Sequence, residues 1–377
     1  MKNTAMTTDY FAGLLEEPFN GLIDEALAAG REPIGYTCGY VPESLLSVGR
    51  LFPVRMRAPG VIGTETADIY LSSVICSCTR SLLEYAMEER YDFLGGWVFT
   101  SSCDHLRRFY DNLDYLKKPA FNQIIDVPHK TGPPAIDWYV EELRLLSAAI
   151  SEHFNVDTGP DALADAVEKR NGFLRLLKSI GDLRKREYPG ITGADFHRLL
   201  MACQVVPHDR IEGRVLDYRE SLMNSEGRSG HRARLMVAGG EIDDPGFIQS
   251  IESQGGLVVA DRFCTGSFPG LEPIAVDDEP LRSLAENVFR KTACPRMMED
   301  FAGRVAYIKG IIEEYRVDGV IIEMVKFCDI WGIESGPLQT ALRDMGIPVL
   351  RLDREYRQSG EGQLRTRVQA FLESMGR

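Results

Sequence analysis

The sequence has no uninterrupted apolar run near the roughly 18 residues that a membrane-spanning helix needs, so it is not expected to cross a bilayer. It has no surplus of basic residues: 43 Lys and Arg stand against 56 Asp and Glu, a formal net charge of −13. Nucleic acid and anionic membrane surfaces are therefore not expected partners, because the composition offers neither polyanion an attraction. No Gly-x-Gly-x-x-Gly and no Gly-x4-Gly-Lys-Ser/Thr occurs, which argues against dinucleotide binding and P-loop ATP hydrolysis by this chain. The first residues lack a long apolar core and a small-residue cleavage site. No secretory signal is expected, and the cytoplasm is the expected location. Cysteine is sparse, with 8 in 377 residues, too few for a disulfide scaffold at this length.

What is present is an ordinary globular mixture, 44% apolar and 26% charged. At roughly 150 residues per domain the length allows two or three domains. Short β-rich runs at 33–37, 53–57, 96–100 and 123–127 alternate with helical stretches at 42–48, 68–90 and 103–116. A second set of strands is expected at 234–238, 256–260, 319–323 and 348–352, with helices at 245–254, 280–290, 297–315, 336–345 and 362–375. Between the two sets the chain reads as helix at 138–154, from Asp161 onward, and at 196–206. Residues 213–232 are polar and read as a solvated connection. The expected fold is α/β: two flavodoxin-like lobes with parallel sheets, residues 1–133 and 231–377, joined by a helical segment at 134–230. The runs Trp97-Val98-Phe99 and Val320-Ile321-Ile322 do not alternate, as strands buried on both faces should not.

In open parallel sheets, ligands sit beyond the carboxyl ends of the strands. Cys38, Cys103, Cys264 and Cys328 all fall just past such an end, and Cys76 and Cys78 stand together in Ile75-Cys76-Ser77-Cys78-Thr79-Arg80. The segment from Gly96 to Cys103-Asp104 is echoed by Gly319 to Cys328-Asp329: a glycine, an apolar strand, a polar exit, then Cys-Asp. Cys203 reads as core, and Cys294 has no assignment. Soft thiolates select zinc, Cu(I) or iron–sulfur clusters. Structural zinc normally shows paired Cys-x2–4-Cys ligands, which this chain lacks. Spacing alone leaves a cluster, zinc and uninvolved thiols open.

The ordered motifs resemble one family. They are Tyr40-Val41-Pro42-Glu43-Ser44-Leu45, Cys76-Ser77-Cys78-Thr79-Arg80-Ser81, Ser102-Cys103-Asp104-His105-Leu106-Arg107-Arg108, Asp126-Val127-Pro128-His129-Lys130, Lys326-Phe327-Cys328-Asp329 and Gly362-Gln363-Leu364-Arg365-Thr366-Arg367. Together they resemble the 2-hydroxyacyl-CoA dehydratase and class I benzoyl-CoA reductase family, on its smaller, beta-type subunit. The resemblance implies a [4Fe-4S] cluster, a homologous larger subunit, and an ATP-hydrolysing activator iron–sulfur protein that injects one electron. It also implies an acyl-CoA substrate reduced to a ketyl-type radical anion. Dehydratases then expel the hydroxyl, while the benzoyl-CoA branch reduces the ring. The cluster cysteines correspond to Cys76, Cys103 and Cys328, with Cys38 as a candidate fourth ligand. A cluster-carrying electron-transfer protein without a substrate site is a further alternative.

Two other residues are candidates for chemistry. His129 follows a strand exit and has the residue type for proton transfer or substrate polarisation. Glu43 opens a helix after Pro42, where a carboxylate either acts on substrate or simply complements the helix dipole.

Overall fold

In the computed structural model, which describes residues 2–267, 270–290, 294–357 and 360–376, the strands build two sheets of four. The first holds β1 (Glu32–Tyr36), β2 (Leu51–Arg55), β3 (Gly96–Thr100) and β4 (Asn122–Ile125). The second holds β5 (Ala233–Ala238), β6 (Gly256–Arg262), β7 (Gly319–Val325) and β8 (Val349–Arg354). Every strand pair is parallel. The orders are β2-β1-β3-β4 and β6-β5-β7-β8, one pattern used twice. Both sheets are thus flavodoxin-like, each with a switch point beside its first strand, between β1 and β3 and between β5 and β7. The echo between residues 96–104 and 319–329 falls on β3 and β7, which hold the same place in the two sheets.

Parallel strands need crossover helices on their faces, and those helices exclude water from both sides. β3, β5 and β6 are accordingly buried at every residue. The Pro133–Phe154 helix lays Tyr139, Leu143 and Ile150 against Ile34 and Val98 of the first sheet, in a core that also takes Leu284 and Phe289 from later in the chain. The Pro160–Gly181, Gly193–Gln204 and His208–Met223 helices share a second core through Leu177, Leu200 and Tyr218. The two lobes are clasped by Tyr356, beyond β8. Its N–H donates to Ser77 Oγ at 2.8 Å, and its hydroxyl accepts from the Ala58 N–H at 2.9 Å and bonds the Asp243 carboxylate.

Four sequence expectations are corrected. The single helix at 68–90 is two helices, Ala67–Tyr70 and Ser77–Met87, separated by an irregular stretch that frees Cys76 from any helix interior. Side chains from the second helix bond backbone groups at the start of the first helix and within that stretch. Glu84 accepts the N–H groups of Thr66 and Ala67 at 3.2 and 2.7 Å, and the Arg80 guanidinium donates to Ile75 O at 3.1 Å. The expected connection at 213–232 is helical as far as Met223, because Ile211, Val215, Tyr218 and Leu222 bury one face of the His208–Met223 helix. The helix expected at 42–48 shrinks to one 3-10 turn, Leu45–Ser47. The helix expected at 336–345 begins at Asp329 and runs through Pro337, with Trp331, Leu338 and Leu342 buried along it. Among the described residues, no helix is long and apolar enough to cross a membrane.

Candidate functional site

The strand exits of both sheets converge on one cavity of about 100 Å³. Seven of the eight cysteines line it: Cys38, Cys76, Cys78, Cys103, Cys264, Cys294 and Cys328. Cys203 lies elsewhere, in the helical core. The convergence follows from topology. Cys38 follows β1 and Cys103 follows β3, on either side of one switch point, and Cys328 follows β7 beside the other. Cys264 follows β6, and Cys294 arrives on the segment between the Pro280–Arg290 and Phe301–Tyr315 helices.

Cys76, Cys103 and Cys328 share a further property: each is the N-cap of a helix, Ser77–Met87, Asp104–Leu116 and Asp329–Asp344 respectively. Three helix N-termini therefore aim the positive ends of their dipoles at the cavity, which favours negative charge there. Cys103 Sγ accepts from the Leu106 N–H at 3.4 Å. Cys76 Sγ lies 3.3 Å from the Thr79 hydroxyl. Burial pushes the Cys103 thiol well up, and neighbouring Cys76 adds to that, while the Leu106 N–H works against it. Burial also raises Cys76, opposed by Thr79, and lifts Cys328 to about 12, opposed by the Trp331 N–H. A metal that binds a thiol takes it as the thiolate and displaces its proton.

Charged groups frame the cavity. Glu241 accepts from Arg55 Nη2 at 2.8 Å, and burial, partly offset by Arg55, raises the Glu241 carboxyl. His105 is buried against the cavity: its Nδ1 accepts the Cys76 N–H at 3.1 Å, and its Nε2 lies 3.3 Å from Asp329 Oδ2. Arg296, also buried, donates to the carbonyls of Ser102 and Val127 and so pins the segment after Cys294 to the exits of β3 and β4. Among the described residues, no three His, Cys, Asp or Glu side chains are grouped to hold a single metal ion.

The structure brings Cys76, Cys103, Cys328 and Cys38 to the cavity and leaves the other two candidates outside it. Glu43 forms an ion pair with Arg170, Oε2 to Nη2 at 2.8 Å, and lies 3.9 Å from His208 Nε2. It lines a separate small cleft with Ser44 and Arg170. His129 is exposed, and its carbonyl accepts the Met298 N–H at 3.3 Å. Burial and the nearby Arg296 charge lower its imidazole pKa. Sequence reasoning placed Cys264 at a strand exit without adding it to the ligand set, and it left Cys294 unassigned. No local signal marks Cys294, which follows a helix and reaches the cavity only through packing. His105 stood inside a quoted motif without a role.

The chain has recognisable relatives. The family model described as 2-hydroxyglutaryl-CoA dehydratase, D-component, matches residues 38–375. The chain is 24% identical to the (R)-phenyllactyl-CoA dehydratase beta subunit of Clostridium sporogenes, with 100% of each chain covered. It is 23% identical to the putative dehydratase subunit YjiM of Escherichia coli K12, with 91% of each covered. It is also 23% identical to a benzoyl-CoA reductase subunit of Thauera aromatica, with 85% of this chain and 84% of that one covered. The match spans every strand but β1 and every residue lining the cavity except Thr37, so this chain belongs to the 2-hydroxyglutaryl-CoA dehydratase D-component family.

Proposed function

We propose that this chain is the iron–sulfur subunit of a radical CoA-thioester enzyme, in which one-electron reduction of an acyl-CoA leads to dehydration of a 2-hydroxyacyl-CoA. The observation that carries the reading is the gathering of seven thiols on one cavity, three of them at helix N-termini. The donor set fits a [4Fe-4S] cluster chemically. Thiolates are its normal ligands. A cluster takes one thiolate per iron, whereas a lone zinc ion needs four donors around one point, a grouping not found among the described residues. Cys76, Cys103 and Cys328 would hold the cluster, with Cys38 as a candidate fourth ligand. When bound, such a cluster supplies low-potential one-electron chemistry and an iron able to accept a thioester oxygen.

The residues of the chain do the rest. The three N-termini stabilise negative charge, the Leu106 N–H donates to the Cys103 sulfur, the Thr79 hydroxyl lies in hydrogen-bond contact with the Cys76 sulfur, and the buried walls exclude water. A homologous larger subunit and an ATP-hydrolysing activator iron–sulfur protein, both implied by the family resemblance, complete the proposal. Relatives named as dehydratase subunits favour dehydration; the relative named as a benzoyl-CoA reductase subunit keeps ring reduction as the alternative chemistry. The test is oxygen-free purification followed by iron and sulfide analysis and EPR. Stoichiometric iron and a reducible cluster signal, both lost in Cys103→Ser and Cys328→Ser, are expected. Iron-free protein under those conditions overturns the reading.

The number of sulfurs favours a second reading. Seven thiols exceed what four irons can take at one thiolate each, so an inorganic centre alone could occupy the cavity. The chain would then pass electrons without an acyl-CoA site of its own. An iron content above four per chain, with no saturable CoA-thioester binding by calorimetry, would select it.

A further inference from the structure

Among the described residues, His105 is the one imidazole on the cavity wall, and both of its ring nitrogens are engaged. Nδ1 accepts a backbone N–H, that of Cys76, at 3.1 Å. An acceptor nitrogen carries no proton, so the ring proton sits on Nε2, directed at Asp329 Oδ2 3.3 Å away. Each end of this bridge meets a cysteine-bearing segment. Cys76 supplies the amide, His105 stands two residues after Cys103, and Asp329 follows Cys328 directly. The bridge also crosses between the lobes, since His105 belongs to the helix after β3 and Asp329 opens the helix after β7.

We infer that His105, fixed as the Nε2–H tautomer between the Cys76 amide and the Asp329 carboxylate, is the positioning residue that holds the Cys76, Cys103 and Cys328 segments in mutual register. What those segments grip rests on the iron–sulfur reading above; the latch itself does not. Without it, the Cys76 amide loses its bond to the helix that follows Cys103, and that helix loses its bridge to Asp329 in the second lobe. Partners that orient ligand groups from outside typically change metal affinity by about 10–100-fold when removed. Asp329 is 62% exposed, so its replacement breaks the latch without opening the core.

Two measurements on the full chain test the inference. The first is histidine 15N NMR of the iron-free protein, with the His105 signal identified by its loss in His105→Asn. A single unprotonated Nδ1 with a protonated Nε2 is expected. A protonated Nδ1, or averaging between tautomers, overturns the latch, and this readout stands even if the protein never binds iron. The second is the rate of iron release to a chelator from anaerobically reconstituted protein. Asp329→Ala should release iron about 10–100-fold faster than the unaltered protein. Asp329→Asn, whose amide oxygen still accepts from Nε2, should stay near the unaltered rate. Equal rates for Ala and the unaltered chain, with folding unchanged by circular dichroism, refute a positioning role. Failure of the unaltered chain to take up iron removes the function proposed above and leaves the tautomer measurement to decide the latch.

Discussion

Sulfur is a poor helix cap. Ser, Thr, Asp and Asn are favoured at the N-cap because a compact oxygen accepts from the first-turn amides, and a thiol does this weakly. Three N-cap cysteines on one cavity are therefore a local cost borne by three helices. Cys103→Ser should separate the two demands. The hydroxyl caps the Asp104–Leu116 helix better, so the iron-free protein should gain stability, by less than about 1 kcal/mol. The same variant should lose iron. Thermal unfolding of the iron-free chain and iron analysis of the anaerobic protein check the two halves. Glu43 gives the opposite case. Its side chain and that of Arg170 are 12% and 15% exposed, a largely but not fully enclosed ion pair. Glu43→Ala strands the guanidinium and should cost about 3 kcal/mol in urea unfolding, the signature of a structural role.

Among elements, the turn from β7 into its helix is conformationally constrained. Phe327 adopts φ +65°, the left-handed region that a bulky side chain rarely enters, and it is 50% exposed. The turn delivers Cys328 to the cavity at that conformational cost, of order 1–3 kcal/mol. Phe327→Gly should relieve it. Added freedom of the unfolded chain offsets part of the gain, so the expected net rise is at most about 1 kcal/mol in the urea-unfolding free energy. Element reading from sequence succeeded where the pattern was local. The eight strand positions were legible as short β-rich runs, and in β3 and β7 the runs are continuous and apolar because those strands are covered on both faces. The break before Cys76 was not legible. Residues 68–90 carry an acceptable helical pattern, which does not show that Glu84 bonds the amides at the start of the first helix and Arg80 bonds the Ile75 carbonyl between the two helices. The 213–223 stretch was misread because its charged surface masks three buried positions, Val215, Tyr218 and Leu222, on one face.

At the scale of the whole molecule, Glu252 ties the helical segment to the second sheet. Its carboxylate accepts from the Gly193 N–H at 2.8 Å, the Ala194 N–H at 3.1 Å and the Val258 N–H at 3.0 Å. Burial raises its pKa from 4.5 to about 7 despite those bonds. A folded-state pKa above the unfolded value means that the folded chain binds the extra proton between them. The stability contributed by this group is thus fully present below about 4.5 and is lost as pH rises through about 7. Glu252→Gln should flatten that part of the pH dependence, as measured by urea midpoints compared across this interval.

The sequence by itself determined the two parallel sheets, the helices joining them, and the placing of Cys38, Cys103, Cys264 and Cys328 at strand ends. These follow from hydrophobic periodicity and strand length, which act between near neighbours. Only the tertiary structure decided that Cys294 joins those sulfurs, that Glu43 turns away to Arg170, and that His105 spans from the Cys76 amide to Asp329. Each of those contacts joins segments far apart in the chain. Its geometry is set by how two twisted sheets and their helices pack against each other, and no local pattern of residues encodes that packing.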